Sequence, residues 1–128
     1  MVKEKIKIGV IGTGHLGRFH TKLLKGIDNC EFAGVFDVDT ARANVIGNEF
    51  SVNIFSTLNE MFDAVDAVSV VTTTSAHYEI VKKSFNAGKH VIVEKPITTT
   101  ICEAEELVKI AQEKHLIFQV GHIERFNP

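Results

Sequence analysis

The chain has 128 residues, 45% of them apolar and 23% charged, with a formal net charge of −2 and a mean hydropathy of +0.10. Those values describe one domain with enough apolar material for a buried core. They exclude a disordered tract, a repeat array and a basic surface that follows a nucleic-acid backbone.

The amino terminus, Met1-Val2-Lys3-Glu4-Lys5, mixes charges and leads into a short apolar stretch that is neither a signal peptide nor a membrane span. The protein is therefore read as cytoplasmic, without a membrane or nucleic-acid partner. Ile6 to Ile11 is rich in β-branched residues and stops at Gly12, which predicts a buried strand. A helix follows from about His15, with apolar Leu16, Phe19 and Leu23 at spacings of three and four and Gly26 to end it. Glu31 to Asp37 reads as a second strand, Thr40 to Phe50 as a helix, Asn53 to Phe55 as a short third strand and Leu58 to Phe62 as a brief helix.

Ala67 to Val71 is a nearly continuous apolar run of strand length, and the next helix shows one face made of His77, Ile80, Val81 and Ser84 before Gly88 closes it. His90 to Glu94 is the fifth strand, Thr100 to Lys114 a helix with the stripe Ala104, Leu107, Val108 and Ala111, and Ile117 to Val120 the sixth strand. Parallel neighbours need crossovers of this kind. The alternation therefore predicts an α/β fold, a doubly wound parallel sheet of Rossmann type in a single domain over residues 1–120, with 121–128 as the start of a linker.

Cys30 and Cys102 fit no redox or ligand spacing and are read as reduced structural thiols. Six scattered histidines include no His-Glu-x-x-His pair, and no metal site is assigned.

Gly12-Thr13-Gly14-His15-Leu16-Gly17 forms a Gly-x-Gly-x-x-Gly, a weak pattern alone that gains force from lying between the first strand and first helix. Gly12 permits the turn, Gly14 lets a pyrophosphate approach the backbone, and Gly17 lets helix and strand pack closely. The helix amino terminus supplies N–H donors and partial positive charge, so the phosphates need no basic side chain. Asp37 follows Gly17 by twenty positions, where an acid accepts the adenosine 2′-hydroxyl and repels a 2′-phosphate. That favours NAD over NADP, although Arg42 is near in sequence and Asp39 competes with Asp37 as the acid. Ligands of open parallel sheets sit beyond the strands' carboxyl ends, which brings in Thr72, Thr73 and His77 after the fourth strand and Glu94, Lys95 and Pro96 after the fifth.

The glycine turn with His20 after it, the Thr-Ser-x-His segment ending at His77, and Glu94-Lys95-Pro96 together resemble the Gfo/Idh/MocA oxidoreductases along essentially the whole chain. The resemblance implies that Lys95 points at the nicotinamide and the reacting hydroxyl as the catalytic residue, and that the bond before Pro96 is cis. Glu94 would fix the turn or the nicotinamide ribose. The string Gly121-His122-Ile123-Glu124-Arg125-Phe126-Asn127-Pro128 is similar to the branch that oxidises the 3-hydroxyl of UDP-linked N-acetylhexosamines, with His122, Arg125 and Asn127 as substrate candidates. Family members continue into a second domain that builds the sugar pocket and usually the homo-oligomer interface. The expectation is thus an NAD-dependent sugar or polyol dehydrogenase whose first 128 residues bind NAD but turn over no sugar alone. Two alternatives remain open: a noncatalytic NAD-binding sensor, against which Lys95 speaks, and an S-adenosylmethionine methyltransferase, against which Gly17 speaks.

Overall fold

The computed structural model describes residues 5–121. Its elements run β1 (Ile6–Ile11), α1 (His15–Lys25), β2 (Cys30–Phe36), α2 (Thr40–Phe50), α3 (Leu58–Ala64), β3 (Ala67–Val70), α4 (Thr74–Asn86), β4 (His90–Glu94), α5 (Ile101–Glu113) and β5 (Phe118–Gly121). All the strand pairs are parallel, in the order β2-β1-β3-β4-β5. Strand order reverses direction between β1 and β3, so the connections leaving those two strands part company and open a crevice there.

Successive strand residues face opposite sides, and each side carries its own core. Val10, Val35, Ile46 and Val71 pack beneath α1 and α2 on one side. Val68, Val70, Val91, Val93, Phe85 and Leu107 build the larger core with α3, α4 and α5 on the other. Phe85 is fully buried and meets the Phe118 ring edge to face at 5.1 Å between centroids.

Three expectations are corrected. Asn53 to Phe55 is no strand, only an isolated bridge between Ile54 and Val35. Ser51, in the left-handed conformation, ends α2 and Thr57 caps α3, which leaves the chain room for two hydrogen bonds to the outer edge of β2, both at Val35.

On α1 the apolar positions Leu16, Phe19 and Leu23 face outward, each more than two-fifths exposed, while Gly17 and Thr21 are the buried positions. The helix comes so near the glycine turn that only small residues fit between them. On α5 the buried positions are Leu107 and Ala111, with Ile110 packed beside them; Val108 is exposed and Ala104 only half-buried.

Strand β2 also carries an irregularity. Ile8 pairs with Phe32 but Gly9 with Gly34, leaving Ala33 as an extra residue. The two-residue alternation breaks at that point: Phe32 and Val35 serve one core, Ala33 and Phe36 the other.

Because the Phe85 site is enclosed on all sides, Phe85→Ala should cost about 3–5 kcal/mol. Urea unfolding followed by circular dichroism measures it, and a loss below about 1 kcal/mol would mean that the larger core tolerates a void there.

Candidate nucleotide-binding site

Every strand is parallel, so Gly12, Asp37, Val71 and Lys95, each directly following or within a residue of a strand end, come to one edge of the sheet. Gly12 leaves β1 with φ of +105°, a region other residues rarely adopt, and a Cβ there would lie 2.6 Å from the Val71 carbonyl oxygen. Gly17, in the first turn of α1, is closer still: a Cβ would stand 1.9 Å from the Gly12 oxygen. Gly14 caps the helix in an extended conformation without a side-chain hydrogen bond, and the first turn holds no acidic residue. The amides at this helix start thus face outward without a carboxylate of their own to neutralise them, which suits a diphosphate.

Asp37 sits just past β2, against the turn. Its Oδ2 accepts from the Thr13 backbone N–H at 2.8 Å and the Thr13 hydroxyl at 2.7 Å, and its Oδ1 accepts from the Asp39 N–H at 2.9 Å. Partial burial opposes ionisation, but the bonds from Asp39 and Thr13, with Arg42 nearby, outweigh it and hold the Asp37 carboxyl below its ordinary value. The competing acid, Asp39, is spent elsewhere, as the cap of α2 that accepts from the Arg42 N–H at 3.1 Å.

A cleft of about 200 Å³ opens here, lined by Gly12, Thr13, Gly14, Asp37, Thr72 and Thr73 among the predicted residues. Val38, Arg42, Ala76 and Ile80 also line it, and none of these was assigned from sequence. Arg42 had a signal, its closeness to Asp37 along the chain; the inward faces of Ala76 and Ile80 depend on how α4 meets the sheet. A wider hollow of about 510 Å³ between α3 and the end of α4 contains none of the predicted groups.

The remaining predicted residues lie around this cleft. His15 and Leu16 are exposed in the first turn of α1. His77 is buried, with Nδ1 3.0 Å from the Pro96 carbonyl oxygen and 3.2 Å from that of Ile97, and Nε2 3.2 Å from that of Thr72. Carbonyl oxygens only accept, so the ring donates. It ties the loop after β3 to the loop after β4 instead of facing the cleft.

Glu94 is likewise turned inward. Its Oε1 lies 2.7 Å from His20 Nε2, His20 Nδ1 is 2.9 Å from the Ser69 hydroxyl, and a Cβ on Gly121 would stand 2.9 Å from the same carboxylate oxygen. Lys95 and Pro96 are exposed just after β4, at the sheet edge that carries the cleft but outside its lining, and the bond joining them is cis. His122, Arg125 and Asn127 lie outside the described residues. Cys30 and Cys102 are free thiols. Among the described residues no helix is long and apolar enough to cross a membrane.

The model of the oxidoreductase family with an NAD-binding Rossmann fold, GFO_IDH_MocA, matches residues 6–122. UDP-N-acetylglucosamine 3-dehydrogenase of Acidithiobacillus ferrooxidans is 42% identical over 123 residues, covering 96% of this chain and 39% of that protein. The solved structure of that organism's UDP-N-acetylglucosamine 3-dehydrogenase GnnA superposes with a TM-score of 0.92 at 41% identity, covering 100% of this chain and 41% of that one. GenD2 from gentamicin A biosynthesis, solved in complex with NAD, superposes with a TM-score of 0.88 at 27% identity over 93% of this chain and 35% of that one. The chain thus spans about two fifths of the length of the first of these relatives.

Gly17→Ala should destabilise the fold by about 3 kcal/mol or more, because the obstacle is backbone that cannot swing aside, and should remove dinucleotide binding. Denaturation and calorimetric titration check the two effects, and an alanine variant that binds normally would contradict the turn geometry.

Asp37 also has a signature in acid. Its depressed value makes its stabilising contribution complete above the ordinary aspartate pKa of 3.8 and lost as the pH falls through the lower folded value. The stability gap between the native chain and Asp37→Asn should be flat above about pH 5 and close only below the ordinary value. Unfolding curves at stepped pH test this, and a gap that closes near neutrality would contradict it.

Proposed function

Because the chain belongs to the Gfo/Idh/MocA oxidoreductase family as its NAD-binding Rossmann domain, we propose that it serves an NAD-dependent sugar dehydrogenase acting on the 3-hydroxyl of a UDP-linked N-acetylhexosamine. The observation that carries the NAD part is the cleft itself, where a helix start without an acid faces a carboxylate held ionised by Thr13 and Asp39. The sugar part rests on the Gly121 to Pro128 string and on the 42% identical relative named for that activity.

Bound NAD supplies the acceptor for the hydride that leaves the oxidised carbon. The chain's own residues divide the other tasks. The turn from Gly12 to Gly17 holds the diphosphate and Asp37 the adenosine ribose. Thr72 and Thr73 line the cleft from the neighbouring strand end.

Lys95, at the hydride end of the same rim, orients the substrate hydroxyl and receives or relays its proton. His77 and Glu94 hold Lys95's loop in place from behind, through Pro96 and His20 respectively. Residues 1–120 form the nucleotide-binding unit in this reading, and 121–128, with His122, Arg125 and Asn127, lead toward the sugar. Sugar recognition and homo-oligomer contacts fall to protein beyond this unit, and the enzyme works in the cytoplasm.

Parallel calorimetric titration with NAD, NADP and S-adenosylmethionine tests the cofactor, with NAD expected to bind tightest; preference for either competitor overturns it. Lys95→Ala in the enzyme that contains this unit should abolish turnover of the UDP-sugar and leave NAD affinity nearly unchanged. Equal loss of both would favour a noncatalytic sensor.

A further inference from the structure

Two groups with opposite tastes share the adenosine end of the cleft. Asp37 accepts hydroxyls and repels phosphate, whereas the Arg42 guanidinium, 3.8 Å from where a Cβ on Gly14 would stand, overlooks the same turn and attracts phosphate. Asp37 and Arg42 are both visible in the sequence as opposing influences on the choice of dinucleotide. The structure adds a third participant.

Thr13 is only 2% exposed, and its hydroxyl and N–H both reach one oxygen of Asp37. Any residue supplies the N–H, but only a hydroxyl supplies the second bond. A carboxylate does nothing but accept, so the Thr13 hydrogen is committed to it. Burial keeps water from taking the hydroxyl's place.

We propose that Thr13 is the specificity-determining residue for NAD over NADP, acting through Asp37. By pinning Oδ2 with two donors on the turn side, it fixes the carboxylate's direction in the cleft, where a 2′-phosphate meets its charge before Arg42 can compensate. Without that hydroxyl the carboxylate loses a charge-assisted bond and its fixed direction, and Arg42 decides more of the outcome. The inference rests on the cleft being the dinucleotide site.

Calorimetric titration of the 128-residue chain with NAD and with NADP separates the two ideas. The native chain should bind NAD more tightly than NADP; binding of neither would overturn the site assignment together with this inference. Thr13→Val keeps the volume and loses the hydroxyl, and should weaken NAD about tenfold while changing NADP much less, so that the ratio of the two dissociation constants narrows. Thr13→Ser should keep the native ratio.

Adding Arg42→Ala to Thr13→Val should widen the ratio again, by weakening NADP. Circular dichroism confirms the fold of each variant, and Thr13→Ala replaces the valine variant if that one fails to fold. Equal weakening of both dinucleotides, or a serine variant that behaves like valine, overturns the proposal.

Discussion

The first turn of α1 approaches the Gly12 carbonyl so closely that one methyl group at position 17 would stand 1.9 Å from its oxygen. This backbone contact sets the direction in which the helix leaves the sheet, and therefore where its amide donors point. It also dictates which residues the helix can bury. Gly17 faces inward because no side chain fits there, and Thr21, buried one turn later, returns its hydroxyl hydrogen to the Gly17 carbonyl at 2.8 Å. Anion binding and helix packing are thus two results of a single close approach, and neither can be altered without the other.

Polar groups do the rest of the positioning. Beneath α1, Ser69, His20 and Glu94 form a chain of hydrogen bonds from β3 through the helix to the end of β4. On the other side, His77 joins Thr72 to Pro96 and Ile97. Buried polar groups are costly unless satisfied, and among the described residues no buried side-chain nitrogen or oxygen lacks a partner. Both histidines tether the loop that carries Lys95, one from each side of the strand end. The loop after β4 is consequently held by side chains from α1 and α4 as well as by its own strand.

Much of this was legible in the sequence, and the exceptions have physical causes. The glycine turn, Asp37 and the alternation of strands with helices depend on local patterns and topology rules, which a sequence displays directly. The parallel sheet agrees with that reading, and the cis bond before Pro96 agrees with what the family resemblance implied. The inward face of α1 was hidden because apolar spacing marks a stripe without saying which way it turns, and here the backbone contact at Gly17 overrides hydrophobicity. Asn53 to Phe55 has strand-like residues but too little chain between two helix caps. His77 reads as a polar residue at the cleft, yet its neighbours are carbonyl oxygens brought together only by the tertiary fold. Arg42 reaches the cleft from the first turn of α2, a placement set by the cap at Asp39.

The outward stripe on α1 has a practical side. Leu16, Phe19 and Leu23 meet solvent along one face of the folded helix, and Ile27 just beyond it is exposed too. Environment-sensitive dyes of the kind used in thermal-shift screens light up on such surfaces as well as on melted chains. Their fluorescence will therefore start high while the protein is still native, flattening the apparent transition. With no tryptophan and a single tyrosine, the chain also offers little intrinsic emission. Ellipticity at far-ultraviolet wavelengths is the readout that this surface does not distort.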